Sequence, residues 1–375
     1  MRQNVRTPLV LAAAVTLAVS ACTSSAPQAA DPAASAGPSL AGRGSVVIAR
    51  CDRFAARSAT SPDTKVHVVT VAAHSAADGT RLAERSAALP DGASVEPLCG
   101  QPRRTAASAD RQLFDSGFGL IAGTVPGPGG TGTVATAFTL PGGLPVAGKA
   151  AEGRAPAFQA GTSVLWYETA ARQVVSHDLA RPGAAPQAQG TAPGPDFALV
   201  DGKVWPTRPM ETKADQVVAA PGGAVAAGTG FWHRSAPAAS YGAEYVEPLV
   251  IGPPTNGRSA LPGSEQVPAC APRLWTDAKT LLCDSNDNLL LLGFADDHSR
   301  VDTVTTLLPP EQRFIESAVL SPDGRALAYL STWDDKTELY RIDLAAGTRP
   351  VKVGPVPTSK DAGPDVGAPQ LVAWQ

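Results

Sequence analysis

The chain has 375 residues, 43% hydrophobic and 17% charged, and its 36 glycines and 35 prolines make up almost a fifth of it, against roughly 12% in average proteins. So many helix breakers exclude a coiled coil or helical bundle, and the apolar fraction excludes a chain disordered throughout. Arg2 and Arg6 are the only charges in residues 1–21, so the remainder holds 29 basic and 34 acidic residues with no basic stripe, and no nucleic-acid partner is expected.

Arg2 and Arg6 precede an apolar stretch over residues 9–19, and small residues then lead to Cys22. These eleven residues, ten of them apolar, are too few for a hydrocarbon core of about 30 Å, so residues 1–21 read as a signal segment rather than a spanning helix. Val19-Ser20-Ala21-Cys22 resembles a bacterial lipobox. That resemblance implies cleavage before Cys22, a palmitate-type diacylglycerol thioether on its sulfur, and anchorage through this lipid on the extracytoplasmic face of the cell membrane. The other reading is an ordinary secretory signal followed by a cysteine. Residues 22–44 lack aromatics and periodicity and bury too little to offset their ordering entropy. They are expected to be a flexible acylated tether, packed against nothing and spanning roughly 25 Å root-mean-square.

With Cys22 taken by lipid, Cys51, Cys99, Cys270 and Cys283 form an even set. In an oxidising compartment they imply two disulfides, with three connectivities available. Proximity favours Cys51–Cys99 and Cys270–Cys283. The spacing offers no CxxC and no Cys/His cluster, so no metal site is expected.

From Val46 onward the chain reads as short strands separated by turns. Strands are expected from Val46 and from Val66. A set at residues 112–114, 120–121, 134–138 and 144–146 follows, then one at 157–158, 164–166 and 174–179. Residues 195–210 are left as an insertion or part of a further unit. Residues 217–218 and 224–227 form a hairpin, with a later strand at 244–251. Residues 272–275, 280–283, 288–292 and 301–304 give four runs, with a central turn at 284–288. The clearest unit places strands at 317–320, 326–330, 339–344 and 350–353 around Ser321-Pro322-Asp323-Gly324 and a polar turn at 333–337. Proline presets φ in that turn and glycine accepts a positive φ. Tyr340, Ile342 and Leu344 alternate at period two, as a strand requires. Four strands in about 40 residues describe one propeller blade.

The stretch Leu320-Ser-Pro-Asp-Gly-Arg-Ala-Leu-Ala-Tyr-Leu330, with Leu339-Tyr-Arg-Ile-Asp-Leu344, resembles the WD40-like repeat of TolB-type β-propellers. One blade carries the motif and the remainder shares its rhythm. The resemblance implies an all-β propeller over residues 45–375, with six four-stranded blades, or seven. The chain lacks the separate α/β domain of TolB itself, and its Ala/Gly/Pro-heavy composition is similar to that of actinobacterial lipoproteins. Pro369-Gln-Leu-Val-Ala-Trp374 matches the innermost strand of a blade whose outer strands would come from residues 45–70. Pairing of the chain ends is therefore expected to close the ring. Trp275 and Trp374 share the repeat position of Leu320.

Chemical motifs are sparse. Gly127-Pro-Gly129-Gly-Thr-Gly132 has the letters of a dinucleotide fingerprint, but it joins two β runs instead of a strand and a helix, and reads as a hairpin loop. Asp284-Ser-Asn286-Asp-Asn288 resembles the start of a calcium loop, yet Leu289 stands where glycine is needed, so an Asx-rich turn is expected. His67, His74, His177, His233 and His298 are scattered and expected at the surface. No catalytic residue and no cofactor is assigned. Two function classes follow: a scaffold propeller binding an envelope protein or extracellular ligand, or an extracytoplasmic hydrolase or lyase with its site at the channel mouth.

Overall fold

The computed structural model describes residues 40, 42, 44–55, 65–96, 98–99, 111–146, 151–181, 183–192, 197–200, 202–205, 217–221, 225–228, 231–234, 249–255, 257–285, 288–308, 314–334, 336–345, 348–357 and 366–375. Among these, the secondary structure is β apart from short 3-10 turns. The first sheet begins with β1 (Ser45–Ala55), β2 (Lys65–Ser75) and β3 (Arg81–Ala88). Then come β4 (Arg111–Gln112), β5 (Leu120–Pro126), β6 (Thr133–Thr139) and β7 (Ala151–Glu152), of which β5 to β7 make a second sheet. A third comprises β8 (Arg154–Gln159), β9 (Val164–Glu168), β10 (Gln173–Asp178) and β11 (Gln187–Thr191), with β4 on its inner edge.

A two-stranded sheet follows, β12 (Ala198–Val200) with β13 (Lys203–Trp205). The fifth sheet is β14 (Val217–Ala219), β15 (Val225–Gly228) and β16 (Phe231–Arg234). The sixth is β17 (Ala271–Trp275), β18 (Thr280–Ser285), β19 (Asn288–Phe294) and β20 (Val301–Leu308). The seventh is β21 (Phe314–Leu320), β22 (Ala326–Trp333), β23 (Lys336–Asp343) and β24 (Val351–Val356). The last strand, β25 (Gln370–Trp374), joins the first sheet in the order β25-β1-β2-β3. Successive antiparallel meanders with such a returning strand are the architecture of a β-propeller.

The seventh sheet shows how sequence makes a blade. Ser321 Oγ accepts the Ala326 amide and donates to Asp323, Asp323 accepts the Arg325 amide, and Gly324 takes a φ of +68°. These bonds fix the turn after β21 and start β22 in register. The six residues from Ala326 to Ser331 are all buried, because a central strand is covered on both faces by neighbouring sheets. β24 opens with two exposed residues, as an outer strand should. Trp333 pairs with Lys336, so the two strands extend through the stretch expected as a wide polar turn.

Closure follows the expected plan. Val46 pairs with Trp374, Val47 with Ala373, Ile48 with Leu371 and Ala49 with Gln370. The Gly44 amide donates to the Gln375 carbonyl at 2.5 Å, and the Gln375 amide to the Ser45 carbonyl at 2.8 Å. The Leu371 amide also donates to Ser317 Oγ at 2.8 Å, which ties β25 to the inner strand of the seventh sheet.

Several readings are corrected. Leu40, placed in a tether touching nothing, is only 1% exposed and sits in the core cluster with Val47, Ala49 and Val71. The packed domain therefore begins earlier than residue 45. Gln112 pairs with Phe158 in the third sheet, while Phe114 bridges Ile121 in the second, so one short run serves two sheets. Asp284 and Ser285 lie inside β18, paired with Leu289 and Asn288, rather than in a turn. The third strand of the fifth sheet is β16; of the strand expected at 244–251, residues 244–248 lie outside the described residues and Val250 bridges Ala260. Within the stretch 195–210, left open between insertion and blade, residues 198–200 and 203–205 form a sheet of their own.

Adjacent sheets also approach through backbone. A Cβ on Gly143, whose φ is +71°, would stand 1.9 Å from the Ala88 carbonyl oxygen of β3, so only glycine fits there.

Candidate functional site

Trp275, Leu320 and Trp374 each end an innermost strand. Trp275 is enclosed: its ring lies 5.5 Å from Phe294 and 5.7 Å from His298, and Nε1 donates to the Val218 carbonyl of the preceding sheet. Trp374 is different. Only half-buried, it lines an open depression of about 710 Å³ between the first and seventh sheets, a volume within the range of ligand clefts.

The rim of this depression comes from two turns of the seventh sheet. Ser321, Asp323 and Arg325 belong to the turn between β21 and β22, and Arg341, Asp343 and Leu344 to the end of β23. The Ser321 hydroxyl, and then the Arg325 amide, hold the Asp323 carboxyl below the usual carboxylate range. It is therefore a fixed, ionised acceptor at neutral pH. Arg325, Asp343 and Arg349 of the following connection are exposed and Arg341 is half-exposed. The depression is thus lined by one tryptophan, two aspartates and two arginines.

Other arginines are committed to holding the ring. Arg154 Nη2 donates to the fully buried Glu168 at 2.6 Å, and Arg172 approaches the same carboxylate at 3.5 Å. Arg111 donates to the Phe197 and Ala155 carbonyls and covers the Phe197 ring at 4.4 Å. Arg273 pairs with Asp284 and donates to the Ile315 carbonyl of the next sheet. Arg50 pairs with the buried Asp52. By contrast, the guanidiniums of Arg325, Arg341 and Arg349 make no hydrogen bond or close ion pair among the described residues.

The structure also places the residues singled out in the sequence. Cys22 lies outside the described residues. Cys51 meets Cys99 and Cys270 meets Cys283 as disulfides, with Cα separations of 5.7 and 5.6 Å. Cys270→Ser should lower thermal stability by about 3 kcal/mol at most and leave Cys283 open to alkylation; mass spectrometry after non-reducing denaturation checks this, and four free thiols in the parent would contradict it.

Three histidines correct the surface reading. His74, His177 and His298 are buried, and each ring contacts a carbonyl in a nearby turn: Gly79 at 3.1 Å, Ala184 at 2.9 Å and Ala278 at 2.7 Å. A polar ring under a loop satisfies an otherwise orphaned carbonyl. His67 is half-buried, and the side chain of His233 lies outside the described residues. Gly127 to Gly132 connect β5 to β6 as a hairpin closed by the Gly127 amide on the Gly132 carbonyl. Among the described residues no group of three or more His, Cys, Asp or Glu side chains is placed to hold a metal ion. No helix among them is long and apolar enough to cross a membrane.

No family model and no curated protein matches the chain. Solved structures do show similarity. TolB from Acinetobacter baumannii aligns over 88% of this chain and 68% of its own, at 13% identity and a TM-score of 0.39. A putative 6-phosphogluconolactonase from Bacteroides uniformis aligns over 85% and 84%, at 14% identity and 0.34. A protein from Lactobacillus plantarum aligns over 84% and 83%, at 9% identity and 0.36.

Proposed function

We propose that the chain is a lipoprotein held on the extracytoplasmic face of the cell membrane through Cys22, whose propeller is a scaffold binding an envelope component at the Trp374 depression. The observation that carries the binding role is the contrast between the two kinds of arginine. Arg50, Arg111, Arg154, Arg172 and Arg273 are spent on carboxylates and carbonyls, whereas Arg325 and Arg341 line the depression with Trp374. Exposed charge next to a half-buried aromatic is the composition of a recognition surface. The Gly44 amide is bonded to Gln375 beside Trp374.

Two experiments test the reading. Cys22→Ala should abolish the lipid mass increment and release the protein from the membrane fraction; unchanged mass and fractionation would contradict the anchor. A photo-cross-linking residue at Ala345, on the rim, should capture an envelope component in intact cells. Capture should fall at least tenfold in Arg341→Gln. No adduct, or one indifferent to Arg341, would contradict the binding site.

A further inference from the structure

We infer that the Cys51–Cys99 disulfide is a redox latch on ring closure: β25 docks stably on β1 only once this pair is oxidised. The inference does not depend on what the depression binds. It starts from where the pair sits. β25 pairs with β1 from Val46 to Ala49 and no further, and Cys51 lies two residues beyond, paired with Val69 of β2. Just before β25, Val366 bridges Cys99, and the Gly367 amide donates to the Leu98 carbonyl at 2.9 Å. The disulfide, with its Cα atoms 5.7 Å apart, therefore joins β1 to the backbone that receives the chain entering β25.

The segment carrying Cys99 has other holds, but they point elsewhere. Val95 and Cys99 exchange both backbone bonds, at 2.8 and 2.7 Å, and Ser94 exchanges two with Thr124 of β5. Those bonds tie it to itself and to the second sheet, whereas the disulfide ties it across to β1. The cross-link spans a sequence separation of 48, so cutting it restores much chain freedom, and the acceptor for Gly367 is no longer held against β1. Val372 and Ala373 of β25 pack on the same buried cluster as both cysteines, so loosening there reaches the strand itself. Burial then sets the order of events. Cys51 is 0% and Cys99 2% exposed, so no external thiolate reaches either sulfur in the shut ring. Oxidation must come first: the two thiols lose two protons and two electrons to an external disulfide, which leaves as two thiols. Closure shields the bond afterwards, and by reciprocity a bond that favours closure is itself favoured by it. Because Trp374 lies on β25, the depression takes shape in the oxidised chain. Cys270–Cys283 lies in a cluster with no residue of β1 or β25 and serves as the comparison.

Amide exchange of the unlipidated chain (residues 23–375), read by mass spectrometry, tests the latch. Cys51→Ala with Cys99→Ala should speed exchange of residues 370–374 at least tenfold and leave β21 and β22 unchanged. Cys270→Ala with Cys283→Ala should keep residues 370–374 at the parental rate. In a second arm this latter variant, which retains the Cys51 and Cys99 thiols, is refolded with and without dithiothreitol. Only its oxidised form should protect residues 370–374. Parental protection there without the Cys51–Cys99 bond, in either arm, would overturn the latch, as would equal loosening on loss of Cys270–Cys283. Loss of protection in β21 and β22 together with β25 would overturn it too, since the bond would then be a staple of the whole domain.

Discussion

Deleting residues 367–375 should unfold the domain at a far lower temperature than the parent. The deletion removes β25, and with it every backbone bond between β25 and the inner side of β1. Val46 and Ile48, buried in one cluster with Ala328, Leu330 and Leu339 of the seventh sheet, would then face solvent, and the buried Leu371 of that cluster is lost with β25. At about 1.5–3 kcal/mol for each fully buried aliphatic side chain, exposing Val46 and Ile48 alone costs several kcal/mol, a large share of a typical domain's stability. Loss of the Leu371 bond to Ser317 frees the neighbouring inner strand as well. Thermal unfolding by circular dichroism measures the effect. A truncated domain that melts within a few degrees of the parent would mean that β25 contributes no more than a frayed end.

The second large effect is expected at Leu40. Its side chain is 1% exposed and shares a core cluster with Val47, Ala49, Val69 and Val71. Leu40→Ala should therefore cost about 2–5 kcal/mol, the range for truncating a buried leucine with incomplete collapse around the gap. Denaturant titration of parent and variant, with equal slopes, reads the difference directly. A change below about 0.5 kcal/mol would return Leu40 to the tether.

Leu40 also shows where sequence reading stops. It stands alone among Ala, Gly, Pro and Ser residues, and a single anchoring side chain has no periodicity to reveal it. The seventh sheet was legible because two independent signals coincide there, the Pro-Asp-Gly turn and the alternation of Tyr340, Ile342 and Leu344. Closure was legible through position, since Trp374 ends the chain where Leu320 and Trp275 end inner strands. One outer strand was not. β11, Gln-Ala-Gln-Gly-Thr, is exposed at every residue, so its hydrogen bonds to β10 leave no trace in hydrophobic pattern. β16 was missed because Phe-Trp-His-Arg mixes apolar and polar residues over only four positions.

The candidate site divides in the same way. The turn that holds Asp323 could be read from Ser321-Pro322-Asp323-Gly324, and Trp374 was singled out as a repeat position. The meeting of Trp374 with Arg341 and Asp343 could not, because it depends on how the closing strand β25 faces the seventh sheet. The buried histidines were misread for a related reason. Isolated polar residues look exposed unless the turn they support is known, and the partners of His177 and His298 lie in loops that the strand pattern leaves blank.

Closure of the ring by β25 and β1 is what builds the seam, buries Leu371 and brings Trp374 to the rim of the depression. Amide hydrogen exchange with mass spectrometry tests it most directly, by following peptides covering residues 45–55 and 368–375 in the intact domain. Closure predicts that amides of β1 and β25 exchange as slowly as those of β21 and β22, because they belong to equally paired strands. Exchange of residues 370–374 within seconds, while β21 and β22 stay protected, would contradict it.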